Sequence, residues 1–167
     1  MEFAEQFGKL QGKFVYCLNA RELALQLSNI AIHLEWKNIY CIDDKWKAVL
    51  KENMFDNTSY SDLATCDAAI TGCELLVART GSIVLSAAGE SGRTTSVYAP
   101  IHICIANTSQ LVYDIKDALQ QLKEKYAGKL PSLITFASGP SRTADIEKTL
   151  VTGVHGPKEV YCFLVEA

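Results

Sequence analysis

The sequence predicts an α/β fold in which a mainly parallel sheet is flanked by helices, with a β-rich middle section. Three observations carry this. Strand-like and helix-like patterns alternate from Phe14 to Glu52; helical periodicity is missing between Asp67 and Asn107, where short β-like runs replace it; and a strongly amphipathic helix begins at Ile115. Alternation of the first kind marks βαβ units. The 167 residues suffice for one domain with a substantial core, and no repeat, low-complexity segment or linker divides them, so residues 1–167 are expected to form a single domain.

Taken in order, Phe14 to Leu18 reads as a first strand. Asn19 follows as a helix N-cap, with Glu22 three residues on as in a capping box, and Leu23, Leu27, Ile30, Ala31 and Leu34 continue at helical spacing. Ile39 to Ile42 is a short strand, and Asp44 to Glu52 a brief helix burying Trp46, Val49 and Leu50. In the middle section the runs Ala68–Thr71, Leu75–Ala78, Ser82–Ala87 and Ile101–Ala106 are joined by Thr71-Gly72, Thr80-Gly81 and the polar loop from Ala88 to Ser96, which carries Arg93. Ile115, Ala118, Leu119, Leu122 and Tyr126 then mark one helix face, with Gly128 and Pro131 placed to end the helix. Leu133 to Ala137 is a buried strand, and the Ser138–Ser141 turn leads to an expected helix with Ile146, Leu150 and Val151 on one face. Gly153 stops that helix, His155-Gly156-Pro157 turns, and Val160 to Val165 is the last strand.

Composition narrows the function. A net charge of -3 without a basic stripe argues against a nucleic-acid binder. The first ten residues lack the basic flank and apolar run of a signal peptide, and no segment is long enough to span a bilayer, so a cytoplasmic protein without membrane insertion is expected. The six cysteines (Cys17, Cys41, Cys66, Cys73, Cys104, Cys162) show no CxxC spacing and read as buried free thiols; with no GxGxxG loop either, no cofactor and no metal site is expected.

Three polar clusters remain as candidates: Thr80-Gly81-Ser82, Arg93, and the turn Ser138-Gly139-Pro140-Ser141-Arg142-Thr143 with His155. Hydroxyls, guanidinium groups and the N–H groups of a helix starting after Ser141 are the parts that hold a carboxylate or phosphate. Asp145 and Glu147 would oppose an anion there, so an anion site and a plain capped loop both stand. His155, between two glycines, is either an exposed general base or a turn histidine; His33 and His102 read as structural.

The order of these residues resembles a known family. FASGPSRTADIE followed by LVTGVHGP, with Ala69-Ile70-Thr71-Gly72, the Ala78–Leu85 run, Gly92-Arg93 and Pro100-Ile101-His102-Ile103 upstream, is similar to the lactate-utilisation protein C family of LUD-domain proteins. The resemblance covers roughly Asp67 to the C-terminus. It implies a NagB/RpiA/CoA-transferase-like fold and a non-redox role in bacterial oxidation of L-lactate to pyruvate, beside iron–sulfur partner proteins and with a small anionic metabolite as ligand. The alternative class is a stand-alone enzyme resembling sugar-phosphate isomerases or CoA-transferases. Two departures are visible: Arg79 stands where the family usually has an acid before Thr-Gly, and the chain starts without the longer helical N-terminal segment of many members.

Overall fold

A computed structural model describes residues 1–89, 94–144, 150–152 and 155–166. Eleven short strands among these residues fall into two main sheets and a small hairpin. The first sheet is parallel, with strand order β1 (Lys13–Cys17), β11 (Glu159–Val165), β6 (Ile101–Asn107), β3 (Ala68–Thr71), β2 (Ile39–Cys41). The second is mixed, in the order β7 (Leu111–Val112), β4 (Leu75–Val77), β5 (Ser82–Ser86), β8 (Ile134–Ala137). It is the β-rich middle section, closed by two strands from later in the chain.

The layers follow from which side chains each strand buries. On one face of the parallel sheet, Ile70, Ile103, Ile105 and Phe163 pack against Leu23 and Leu27 of α2 (Ala20–His33) and Trp46 and Leu50 of α3 (Asp44–Glu52). On the other face, Cys104, Ala106, Cys162 and Leu164 meet Leu76 and Ile83 of the second sheet. That sheet's outer face, Leu75, Val77 and Val84, is covered by Ala118 and Leu122 of α5 (Ile115–Lys125), the helix that follows the short α4 (Thr95–Tyr98) in the chain. The result is helix, sheet, sheet, helix. Strands β6 and β11 are covered on both faces, which is why IHICIAN and EVYCFLV are nearly continuous apolar runs and not alternating ones.

The cap of α2 is the one the sequence specifies, with one change. Asn19 Oδ1 accepts the Glu22 N–H at 2.9 Å, but the Glu22 carboxylate reaches back one residue further and accepts the Leu18 N–H at 2.7 Å. Asp43 caps α3 by accepting the Trp46 N–H at 3.2 Å.

Two departures from the sequence reading bear on the candidate site. The first ten residues, read above only for a leader, form α1 (Glu2–Lys9), whose Phe3 and Phe7 lie one turn apart, fully buried and stacked at 5.4 Å. The helix expected after Thr143 is not formed at its ends: β9 (Arg142–Ala144) and β10 (Leu150–Thr152) pair antiparallel, with Val151 opposite Thr143. Three of the six paired positions are β-branched, which favours a pleated pair, and apolar residues spaced by four and one fit a hairpin as well as a helix. Ile146, Asp145 and Glu147 lie outside the described residues, as do Arg93 and Gly153. The helix N-terminus invoked for anion binding after Ser141 is therefore replaced by a strand.

Candidate functional site

Thr80 and Gly81 close the turn that joins β4 to β5, Ser82 is the first residue of β5, and Ser138 follows β8, the neighbour of β5. Register sets Ile83 opposite Ala137, so Ser82, paired on its other side with Val77, and Ser138 lie side by side at the end of the β5–β8 pairing. Ser82 Oγ lies 2.7 Å from Ser138 Oγ and 2.8 Å from Thr80 Oγ1, a chain of three hydroxyls drawn from positions 56 residues apart. Ser82 is 2% exposed. The reason is α1. Gly81 has φ +63°, and any side chain there would run into the backbone of Phe7; Gly139, with φ +83°, is pressed equally closely against the Leu10 carbonyl. The N-terminal helix thus roofs this end of the signature.

Beyond Gly139 the structure opens. Gly139, Ser141 and His155 line a cleft of about 170 Å³ between the two sheets, together with Ser96, Thr135 and His102. The loop is held by a Ser141 N–H to Pro157 C=O bond of 3.0 Å, with Gly156 tight against the Ser141 side chain. Pro140 is buried, whereas Arg142 is exposed at the start of β9, followed by Thr143 in the same strand. His155 is exposed and belongs to the loop that enters β11. These loops do not lie at the carboxyl ends of the parallel strands, since β8 belongs to the mixed sheet and the His155 loop precedes its strand.

His102 is the residue that sequence reasoning undervalued. It is the second residue of β6, 1% exposed, and its Nε2 lies 2.7 Å from Thr71 Oγ1, itself fully buried on β3. Burial pushes its pKa down to about 4, so the imidazole is neutral at physiological pH. The available signal was its strand register: His102 shares a sheet face with Cys104 and Ala106, and that face meets a second sheet instead of water.

The remaining candidates carry less. Arg79 is exposed and pairs at 2.9 Å with Asp114, the N-cap of α5, which holds the Asp114 carboxyl below its ordinary range. The six cysteines are free; burial pushes Cys17 up to about 11 and Cys41 up to about 12. Cys104 and Cys162 are register neighbours inside the sheet stack. Among the described residues no group of three or more His, Cys, Asp or Glu is placed to hold a metal, and no helix is long and apolar enough to cross a membrane.

Residues 28–165 match the model of the LUD domain. Among curated proteins, the chain is 32% identical over 118 residues to an uncharacterized protein of Neisseria meningitidis (71% of this chain, 50% of the relative). It is 35% identical over 117 residues to lactate utilization protein C of Shouchella clausii (70% and 51%), and 40% identical over 101 residues to the protein of that name from Halalkalibacterium halodurans (59% and 44%). The chain spans about half the length of these relatives. A solved DUF162-family protein from Deinococcus radiodurans superposes with a TM-score of 0.69 at 21% identity, over 98% of this chain and 94% of that one, which supports the fold.

Proposed function

The chain belongs to the LUD-domain family, and on that premise we propose that it is a non-redox component of a bacterial lactate-utilisation system that holds a small carboxylate in the cleft between its sheets. Several relatives bear the name lactate utilization protein C, which supports the pathway. The observation that carries the ligand class is the cleft lining. Gly139, Ser141 and His155, all from the two signature segments, border one space with the neutral His102, and the described lining residues include no acid. Hydroxyls and imidazole N–H groups can then donate to a carboxylate without an opposing charge. A space of about 170 Å³ suits an acid of three or four carbons. Electron transfer in this reading falls to iron–sulfur partner proteins.

Titration calorimetry with pyruvate tests the cleft. Binding is expected for the native chain and a loss of at least about tenfold for Ser141→Ala, whose hydroxyl would be a direct donor. Unchanged affinity in Ser141→Ala and His155→Ala together would refute the site. Affinity purification under anaerobic conditions tests the partners: recovery with iron–sulfur proteins is expected, and recovery alone while those proteins are present in the lysate would count against the complex.

A further inference from the structure

A second cavity, of about 280 Å³, lies at the carboxyl edge of the parallel sheet. The topology creates it. Strand β2 continues into α3 on one face of the sheet, whereas its neighbour β3 continues into β4 on the other. Where loops leaving adjacent parallel strands part in this way, a crevice opens that α/β proteins use for ligands. Asp43 and Trp46 form one wall, and Thr71, Gly72 and Glu74 the other.

Trp46 is 4% exposed, and its indole N–H makes no hydrogen bond among the described residues. Every fully enclosed side-chain nitrogen or oxygen among those residues has a partner, so this nitrogen faces the open space. Beside it is Asp43, whose Oδ1 accepts the Trp46 backbone N–H while Oδ2 turns toward Gly72. A Cβ on Gly72 would stand 3.0 Å from Asp43 Oδ2 and 3.1 Å from Trp46 Nε1, so an acceptor and a donor lie side by side against this glycine at the cavity wall. A single hydroxyl oxygen satisfies both, accepting from the indole and donating to the carboxylate; a carbonyl cannot donate and an ammonium cannot accept.

The rest of the lining sets the charge. Glu74 is met by Lys125, Ser86 and Tyr126, each at 2.6 Å, and Lys45 lies over the Trp46 ring at 4.8 Å. Asp43 and Glu74 are thus balanced by Lys45 and Lys125, and a phosphate would face two carboxylates. The cavity is also larger than the signature cleft. We propose that it is a binding site for a small, uncharged polyhydroxylated metabolite, one hydroxyl of which bridges Asp43 Oδ2 and the Trp46 indole N–H. The two cavities share Leu85 and Ser96 at their border, but Asp43 and Trp46 line only this one.

The test reads the indole itself. The chain has two tryptophans, Trp36 and Trp46, so a ¹⁵N-labelled sample gives two indole N–H resonances, and Trp46→Phe identifies one. Glycerol, D-ribose and D-glucose are titrated separately, with pyruvate as a probe that lacks a hydroxyl. At least one polyol is expected to move the Trp46 resonance downfield and saturably, while pyruvate leaves it in place. Asp43→Asn, which keeps the helix cap, should weaken this response about tenfold, and Ser141→Ala should leave it unchanged. If no polyol moves the Trp46 resonance, or if Asp43→Asn responds like the native chain, the proposal is wrong. Failure of pyruvate to bind the signature cleft would not affect it.

Discussion

Protonation of His102 should dominate the acid sensitivity of the fold. The imidazole is enclosed between the two sheets with Thr71 as its polar partner, and its pKa falls from 6.5 to about 4 because burial penalises the charged ring. In the unfolded chain the ring takes a proton near 6.5; in the folded chain it resists until about pH 4. Its contribution to stability is therefore complete above 6.5 and is lost as pH falls toward 4. Each pH unit of that interval corresponds to about 1.4 kcal/mol, so the full loss is about 3 kcal/mol. That is a large fraction of the stability of a domain this size. Urea denaturation of the native chain and of His102→Gln, measured across this interval, isolates the contribution, because the other titrating groups are common to both. Gln keeps a polar group in reach of Thr71. The native chain should lose about 3 kcal/mol more than the variant between the two ends. Equal losses would show that the ring is not held neutral by burial, and the account of the cleft around it would fail.

Phe7→Ala should destabilise the domain by about 3–5 kcal/mol, as for other fully buried aromatics, because the ring is enclosed between α1 and the sheets; the shift of the urea midpoint measures it. Arg142→Ala should lower pyruvate affinity by no more than about 1 kcal/mol, since an exposed guanidinium is screened by water and salt, and calorimetry at two ionic strengths would show the difference shrinking with salt.

The elements with the strongest local pattern were legible from sequence to within a residue: the short helix Asp44–Glu52, the strand Ala68–Thr71 and the amphipathic helix from Ile115. What escaped had too little local signal. Helix α1 offers only Phe3 and Phe7 as large apolar residues, and β7 is two residues long. The Thr143–Thr152 segment carried apolar spacing compatible with either structure, and pairing decided its described ends, Arg142–Ala144 and Leu150–Thr152. The stacking of the β-rich section on the parallel sheet is a tertiary fact that no periodicity encodes. The same holds for the sites. Ser82 and Ser138 stood in separate polar clusters of the sequence, and a hydrogen bond of 2.7 Å joins them. His102 and Trp46 were read as structural because the sequence shows their apolar neighbours, but not the cavities that each borders from within the core.

The most direct test of the central claim is a crystal structure of the chain grown with saturating pyruvate. The account predicts the ligand between the two sheets, its carboxylate within hydrogen-bond distance of Ser141 Oγ or of the His155 or His102 ring. Pyruvate bound in the Asp43–Trp46 cavity instead, or a cleft left to solvent at that concentration, would contradict it.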